Sequence, residues 1–206
     1  MPAMDKLDLF QQFKDQYVAE KRPVFLEIPP VPYLAVVGQG EPGGEAFQQA
    51  VASLYGAAYG IKMARKKAGL GDYKVAPLQG QWWVDGTHSW RDIPRERWQW
   101  QLLIRVPAEI AQPDLDVAVA EAVRKKKDAD LGRVRLVTLH EGPCVQMLHV
   151  GEYSSEAHTV AQMTDFAASQ GLAFRGPHHE IYLSDPNRTA PEKLKTILRH
   201  PVTHVA

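Results

Sequence analysis

Cysteine is nearly absent from this chain of 206 residues: Cys144 stands alone. A single thiol excludes an intramolecular disulfide framework and any cysteine-rich zinc site. Excess charge is missing too, since 24 Lys and Arg are matched by 24 Asp and Glu. A neutral chain carries no electrostatic footprint for nucleic acid or for an anionic membrane surface. No apolar run approaches the length of about 18 residues that marks a bilayer span. The opening segment, Met1 to Phe10, holds Asp5 and Asp8 where a signal peptide needs an apolar core. What remains is 45% hydrophobic and 23% charged, a globular balance with length enough to bury a real core. The expectation is a cytoplasmic protein whose partner is a small molecule, with neither nucleic acid nor membrane involved. Its assembly is left open, a homodimer included.

The familiar catalytic signatures are also missing. No G-x-S-x-G occurs, which argues against a serine hydrolase of that type. Gly38-Gln39-Gly40-Glu41-Pro42-Gly43 fits G-x-G-x-x-G, but positions 46 to 71 contain no acid to hold a ribose. These glycines therefore read as a flexible turn, and no cofactor is expected. His178-His179-Glu180 is the densest histidine group, yet Leu183 stands where the H-E-x-x-H zinc signature needs its second histidine. His178 and Glu180 share a strand face, and a third ligand from His149 or His140 is the minority alternative to a site without metal. Cys144, beside Pro143, reads as a small core hydrophobe.

Periodicity sets out the elements. Leu7, Phe10, Phe13 and Tyr17 are spaced for one face of a short helix that ends before Pro23. A β-rich run from Phe25 to Gly38 is broken by prolines. Phe47, Val51, Leu54, Ala58 and Ile61 mark the buried stripe of a helix from Glu45 to about Lys67, with a basic end and Gly69 as its stop. Strands are predicted near Tyr73–Val84 and Trp98–Val106, with a polar loop from Asp85 to Arg97 between them. A helix opening at Pro113-Asp114 closes in the basic run Arg124 to Lys127, a solvated last turn.

The second half repeats the first. Leu26, Pro30, Val37 and Gly38 align with Leu139, Pro143, Val150 and Gly151, each pair 113 positions apart. Both segments are strands that run into a glycine, a short polar turn and a helix beginning Glu-Ala, at Glu45 and Glu156. The second helix carries Val160, Met163 and Ala167 and stops at Gly171, and a further strand runs from His179 to Ser184. The expected fold class is α+β, with tandem pseudo-symmetric β-α-β-β units forming an antiparallel sheet. The helices would lie on one side, the other side of the sheet would be open, and a ligand cleft would lie between the halves. One domain is expected over residues 1–206: an N-terminal helix at 1–23, a first unit at 24–107, a connecting helix at 108–133, and a second unit with its tail at 134–206.

All five tryptophans fall between positions 82 and 100: Trp82, Trp83, Trp90, Trp98 and Trp100. For any single one, core packing is the ordinary explanation. Four on two adjacent strands exceed what a core of this size needs, so an aromatic-walled cleft for planar or cationic ligands is the sharper reading. On the last predicted strand, Ile181 and Leu183 share one face, assigned toward the helices. Glu180 and Tyr182 share the other, assigned to the cleft. There the Glu180 carboxylate would be partly desolvated and its pKa raised, which suits a general base or a counter-charge for a cation.

Four segments now align with a known pattern: Gln81-Trp82-Trp83, Trp98 through Arg105, Leu139 through Gln146, and His178 through Pro186. With the tail Pro191 to Pro201 they resemble stand-alone GyrI-like small-molecule-binding proteins across nearly the whole chain. The resemblance implies tandem β-α-β-β units in the SHS2 arrangement and an aromatic-lined cleft with an acid at Glu180. In multidrug-sensing regulators a similar domain is fused to a DNA-binding domain, for which no room is expected here. Some stand-alone members hydrolyse the strained cyclopropane of spirocyclopropyl-cyclohexadienone DNA alkylators, the yatakemycin and duocarmycin class. By that resemblance Glu180 would be the base that deprotonates water, with Tyr182 or Tyr153 as hydrogen-bond donor. Trp82, Trp98 and Trp100 would stack on the drug, and Tyr55, Met147, His149 and His178 join the expected ligand-binding set. The alternative is a non-catalytic drug sink or sensor in which Glu180 pairs with a ligand cation.

Overall fold

The computed structural model describes residues 6–86, 93–125 and 130–205. In chain order the elements are β1 (Leu7–Asp8), α1 (Leu9–Gln12), α2 (Lys14–Tyr17), β2 (Val24–Ile28), β3 (Val31–Gln39) and α3 (Glu45–Lys67). Then follow β4 (Tyr73–Lys74), β5 (Leu78–Trp83), β6 (Gln99–Arg105), α4 (Gln112–Arg124), β7 (Arg135–Leu139) and β8 (Gly142–Val150). The chain closes with α5 (Glu156–Ser169), β9 (Leu172–Phe174), β10 (His178–Tyr182) and β11 (Lys195–His204). The fold is α+β, and the predicted duplication appears as β3-α3-β5-β6 followed by β8-α5-β10-β11. Trp90 lies outside the described residues, as do parts of the predicted Asp85–Arg97 loop and of the basic run after Arg124. No helix among the described residues is long and apolar enough to cross a membrane.

The chain divides into two compact units, and these trade segments relative to the sequence repeat. The first takes residues 1–12, 31–76 and 84–139; the second takes 13–30, 77–83 and 140–206. Thus β2 precedes β3 in sequence but pairs with β8, while β7 precedes β8 but pairs with β3.

In the first unit, β3 is the centre of an antiparallel trio, with Leu34 opposite both Ile104 of β6 and Leu136 of β7. Helix α3 buries Ala50, Leu54, Ala57, Ala58 and Ile61, close to the stripe its spacing predicts. Trp100 is fully buried, with its ring lying over Gly38, where a Cβ would come 2.2 Å from the indole. Phe47 of α3 meets that indole edge-on at 5.6 Å. Gly38, the first glycine of the G-x-G-x-x-G pattern, therefore makes room for a core tryptophan.

The second unit is an antiparallel sheet in the order β5-β10-β11-β8-β2, with β9 pairing on the end of β11. Val145, Met147, Leu198 and Val202 of the strands pack with Met163 and Ala167 of α5. The opposite face is not open, contrary to the expectation. His179 binds Glu141 Oε1 through Nδ1 at 2.9 Å and Gln79 Oε1 through Nε2 at 3.0 Å. Gln79 in turn donates to the Tyr17 hydroxyl at 3.2 Å. Arg199 donates to Gln146 Oε1 at 2.9 and 2.8 Å, to Glu141 Oε2 at 3.3 Å, and to the Gln16 carbonyl at 2.9 Å. This buried polar network clamps α2 over the sheet. The N-terminal segment itself is two single turns broken at Phe13, whose φ of −117° and ψ of 46° leave the helical region. One continuous helix was expected there.

Burial pushes the Glu141 carboxyl up, but the charges of His179 and Arg199, with a hydrogen bond from each, outweigh it and hold the pKa at about 2. The unfolded chain binds a proton there first, so the stabilisation is complete above about pH 4.5 and is lost as pH falls toward 2. Glu141→Gln is expected to flatten the acid limb of a stability–pH profile. Arg199→Met leaves buried Glu141 with His179 alone and strips the Gln146 and Gln16 acceptors of their donor, and urea melts should show a loss of about 3–5 kcal/mol at neutral pH. An unchanged midpoint for Arg199→Met would mean that the network is decorative.

Candidate functional site

Alternation along β10 sends His178, Glu180 and Tyr182 to one face and His179 and Ile181 to the other. Pairing identifies the faces. Glu180 lies opposite Leu198, which lies opposite Met147, and both of those residues pack against α5. Glu180 therefore stands on the α5 side. Ile181 shares the α2 side with His179, and Leu183 lies past the end of the strand. The sequence reading had the alternation but the opposite phase, because both faces of this strand are buried and Ile181 pairs with Ile197 on the far side.

Two features deliver partners to Glu180. The first is the entry to α5. His149 holds Thr159 Oγ1 at 2.8 Å through Nδ1, while its Nε2 meets the Glu152 carbonyl at 3.1 Å and Ser155 Oγ at 3.3 Å. That clamp fixes the turn Tyr153–Ser155 and the first turn of α5. One ligand atom each from Glu156, His178 and Glu180 consequently lies within 4.8 Å of the others. The second feature is Gly80, directly opposite Glu180 on β5. A Cβ at Gly80 would lie 2.9 Å from both Trp82 Nε1 and the Tyr182 hydroxyl oxygen. Its absence lets Trp82 Nε1 donate to that oxygen at 3.1 Å. Tyr182 then turns its own proton to Glu180, and the Tyr153 ring meets Tyr182 edge-on at 6.0 Å.

The electrostatics separate the roles. Burial, then the Glu180 charge and a hydrogen bond with Glu180, raise the Glu156 carboxyl to about 10. The helix N-terminus favours an ionised acid at this position, so desolvation is the stronger effect. Burial, then the Glu180 charge, lifts Tyr182 well above the usual phenol range. The same causes, joined by Glu156, lift Tyr153 to about 12. At neutral pH, Glu180 is thus surrounded by three groups that keep their protons. His178 Nε2 approaches Glu180 Oε1 at 3.5 Å. Behind it His200 stacks on Phe174 at 4.1 Å, and burial, then the His178 charge, lower its pKa to about 3, so it is neutral.

The structure brings Glu180, Tyr182, Tyr153, Trp82 and His178 together in the second unit. Trp82 is buried at 3% exposure and acts through its N–H, not as an open stacking wall. Met147 is core under α5, and His149 is engaged at both ring nitrogens, so neither offers a ligand surface. Trp98, Trp100 and Tyr55 belong to the first unit. Trp100 is core, whereas Trp98 is half-buried, donates to the Ile93 carbonyl at 3.2 Å and lies under the Arg95 guanidinium at 5.5 Å. Tyr55 stacks on Tyr59 along α3 at 6.2 Å. Glu156 and Gly80 are the residues that the sequence reading missed. An acid in the first turn of a helix is too ordinary to stand out, and only the Glu-Ala repeat drew attention to it.

A family model of the GyrI-like small molecule binding domain matches residues 106–203. An uncharacterized conserved protein from Listeria innocua is 43% identical over 96% of this chain and 100% of its own, with a TM-score of 0.90. A hydrolase from the same organism is 41% identical over 96% of this chain and 100% of its own, with a TM-score of 0.87. Another solved Listeria innocua hydrolase is 42% identical over 97% of this chain and 100% of its own, with a TM-score of 0.88. No curated protein matches.

Because the Glu156 pKa is raised on folding, the native chain holds a proton that the unfolded chain releases between about pH 4.5 and 10. Stability charged to this residue is complete below that window and is lost as pH rises through it. Glu156→Gln is therefore expected to raise the melting temperature at pH 8 but not at pH 4. Thermal melts that shift equally at both pH values would show that Glu156 titrates normally.

Proposed function

The chain belongs to the GyrI-like small-molecule-binding family, and we propose that it is a cofactor-independent hydrolase working through Glu156 and Glu180. We infer that its substrate is a spirocyclopropyl-cyclohexadienone DNA alkylator of the yatakemycin and duocarmycin class, so that its role is detoxification. The observation that carries this reading is the pairing of a carboxyl that keeps its proton with a second carboxyl beside it. Two relatives named hydrolases, both above 40% identity, support the reaction class.

The chemistry asks little of the protein. Ring strain supplies the driving force, so the enzyme must place a water and accept one proton. Glu180 takes a proton from water as the oxygen lone pair forms a bond to the cyclopropane methylene. The methylene–spiro-carbon bond breaks, and its electron pair enters the ring, which becomes a phenolate. Protonated Glu156 holds one Glu180 oxygen and leaves the other for water. Tyr182, set between the Trp82 N–H and Glu180, orients the base and has no proton to spare for substrate. That leaves Tyr153, 41% exposed, as the donor to the developing oxyanion. A positioned base contributes about 10²–10⁴-fold to such a step.

Glu180→Gln is expected to bind a duocarmycin-type compound, read by tryptophan quenching, while turnover falls by about 10²-fold or more. Mass spectrometry in heavy-oxygen water should find one labelled oxygen in the wild-type product. Recovery of intact drug from protein that binds it would favour a drug sink, in which Glu180 serves only as a counter-charge.

A further inference from the structure

Glu156, His178 and Glu180 converge from two elements, the first turn of α5 and alternate positions of β10. Their ligand atoms lie within 4.8 Å of one another, and His178 Nε2 is already 3.5 Å from Glu180 Oε1. Ligands on a tetrahedral zinc ion, each about 2.0–2.2 Å from the metal, sit about 3.3 Å apart. Small rotamer changes would close the three onto one cation. An independent observation points the same way. Glu156 is 8% exposed, and no group among the described residues donates a hydrogen bond to its Oε1. A buried acceptor left without a partner costs about 1–3 kcal/mol, and a cation is a ligand that satisfies it.

The donor set sets the class of ion. One imidazole and two carboxylates suit zinc, cobalt or manganese, whereas calcium and magnesium draw on more oxygens and retain water. We propose that Glu156, His178 and Glu180 form a binding site for a divalent transition-metal cation of the zinc type, and that its occupancy switches hydrolysis off. The second half rests on the hydrolase reading; the first does not. A bound ion occupies the Glu180 lone pairs that would otherwise orient water.

Calorimetry with zinc chloride on chelator-treated protein tests the site without substrate. One ion per chain is expected. Affinity should fall at least tenfold in Glu156→Gln and separately in His178→Gln, and circular dichroism would verify that both are folded. Absence of binding, or affinity unchanged in both variants because exposed histidines hold the ion, overturns the proposal. Drug hydrolysis measured across the same titration should decline in step with occupancy; undiminished turnover at saturation overturns the regulatory half. A protein that binds zinc but never hydrolyses drug would refute the enzyme reading and leave the metal site standing.

Discussion

Strand β10 carries ionisable groups on both of its faces, and both faces are covered. That constraint organises the second unit. His179, sent to one side, shares Glu141 with Arg199 in a network that closes on α2. Glu180, sent to the other, meets His178 Nε2 only at 3.5 Å and shares space with Glu156 under the start of α5. The first arrangement is a satisfied polar core, and it makes the sheet rigid. The second leaves Glu156 Oε1 without a partner among the described residues, and chemistry becomes available there on a held scaffold.

The site is built by indirect means. Gly80 contributes by lacking a side chain, Trp82 by its N–H, and His149 by holding a turn. None of these needs to touch a ligand in order to place Glu180, Tyr182 and Glu156. A tryptophan read as a stacking platform can thus be a hydrogen-bond donor in a dry interior, where the orientation it imposes is stronger than in water.

Much of this was legible in sequence. The stripe of α3, its basic end and Gly69 gave its boundaries, and the repeat at an offset of 113 foretold two equivalent sets of elements. Alternation on a short strand is a strong signal, and it put Glu180 and Tyr182 on one shared face, as the structure has them. Three things were hidden, each for a non-local reason. Strand β11 reads as a polar tail through Lys195, Arg199, His200 and Pro201, yet it lies between β8 and β10; Arg199 is tolerable there only because Glu141, far away in sequence, awaits it. The phase of β10 could not be read from a strand buried on both sides. Glu156 resembled an ordinary acid answering a helix dipole until burial reversed its preference for charge.

The exchange of β2 and β7 has a consequence for how this protein is made. Neither compact body can be assembled from a contiguous stretch: residues 13–30 and 77–83 must wait for strands beyond 140. Contact order is correspondingly high, which slows the search for the native state. A ribosome would have to release the chain through β11 before Glu180 gained its surroundings. Genetic fission at the pseudo-repeat boundary would separate each portion from a strand it requires, so the ancestral duplication survives as a pattern in the text and no longer as two independent parts.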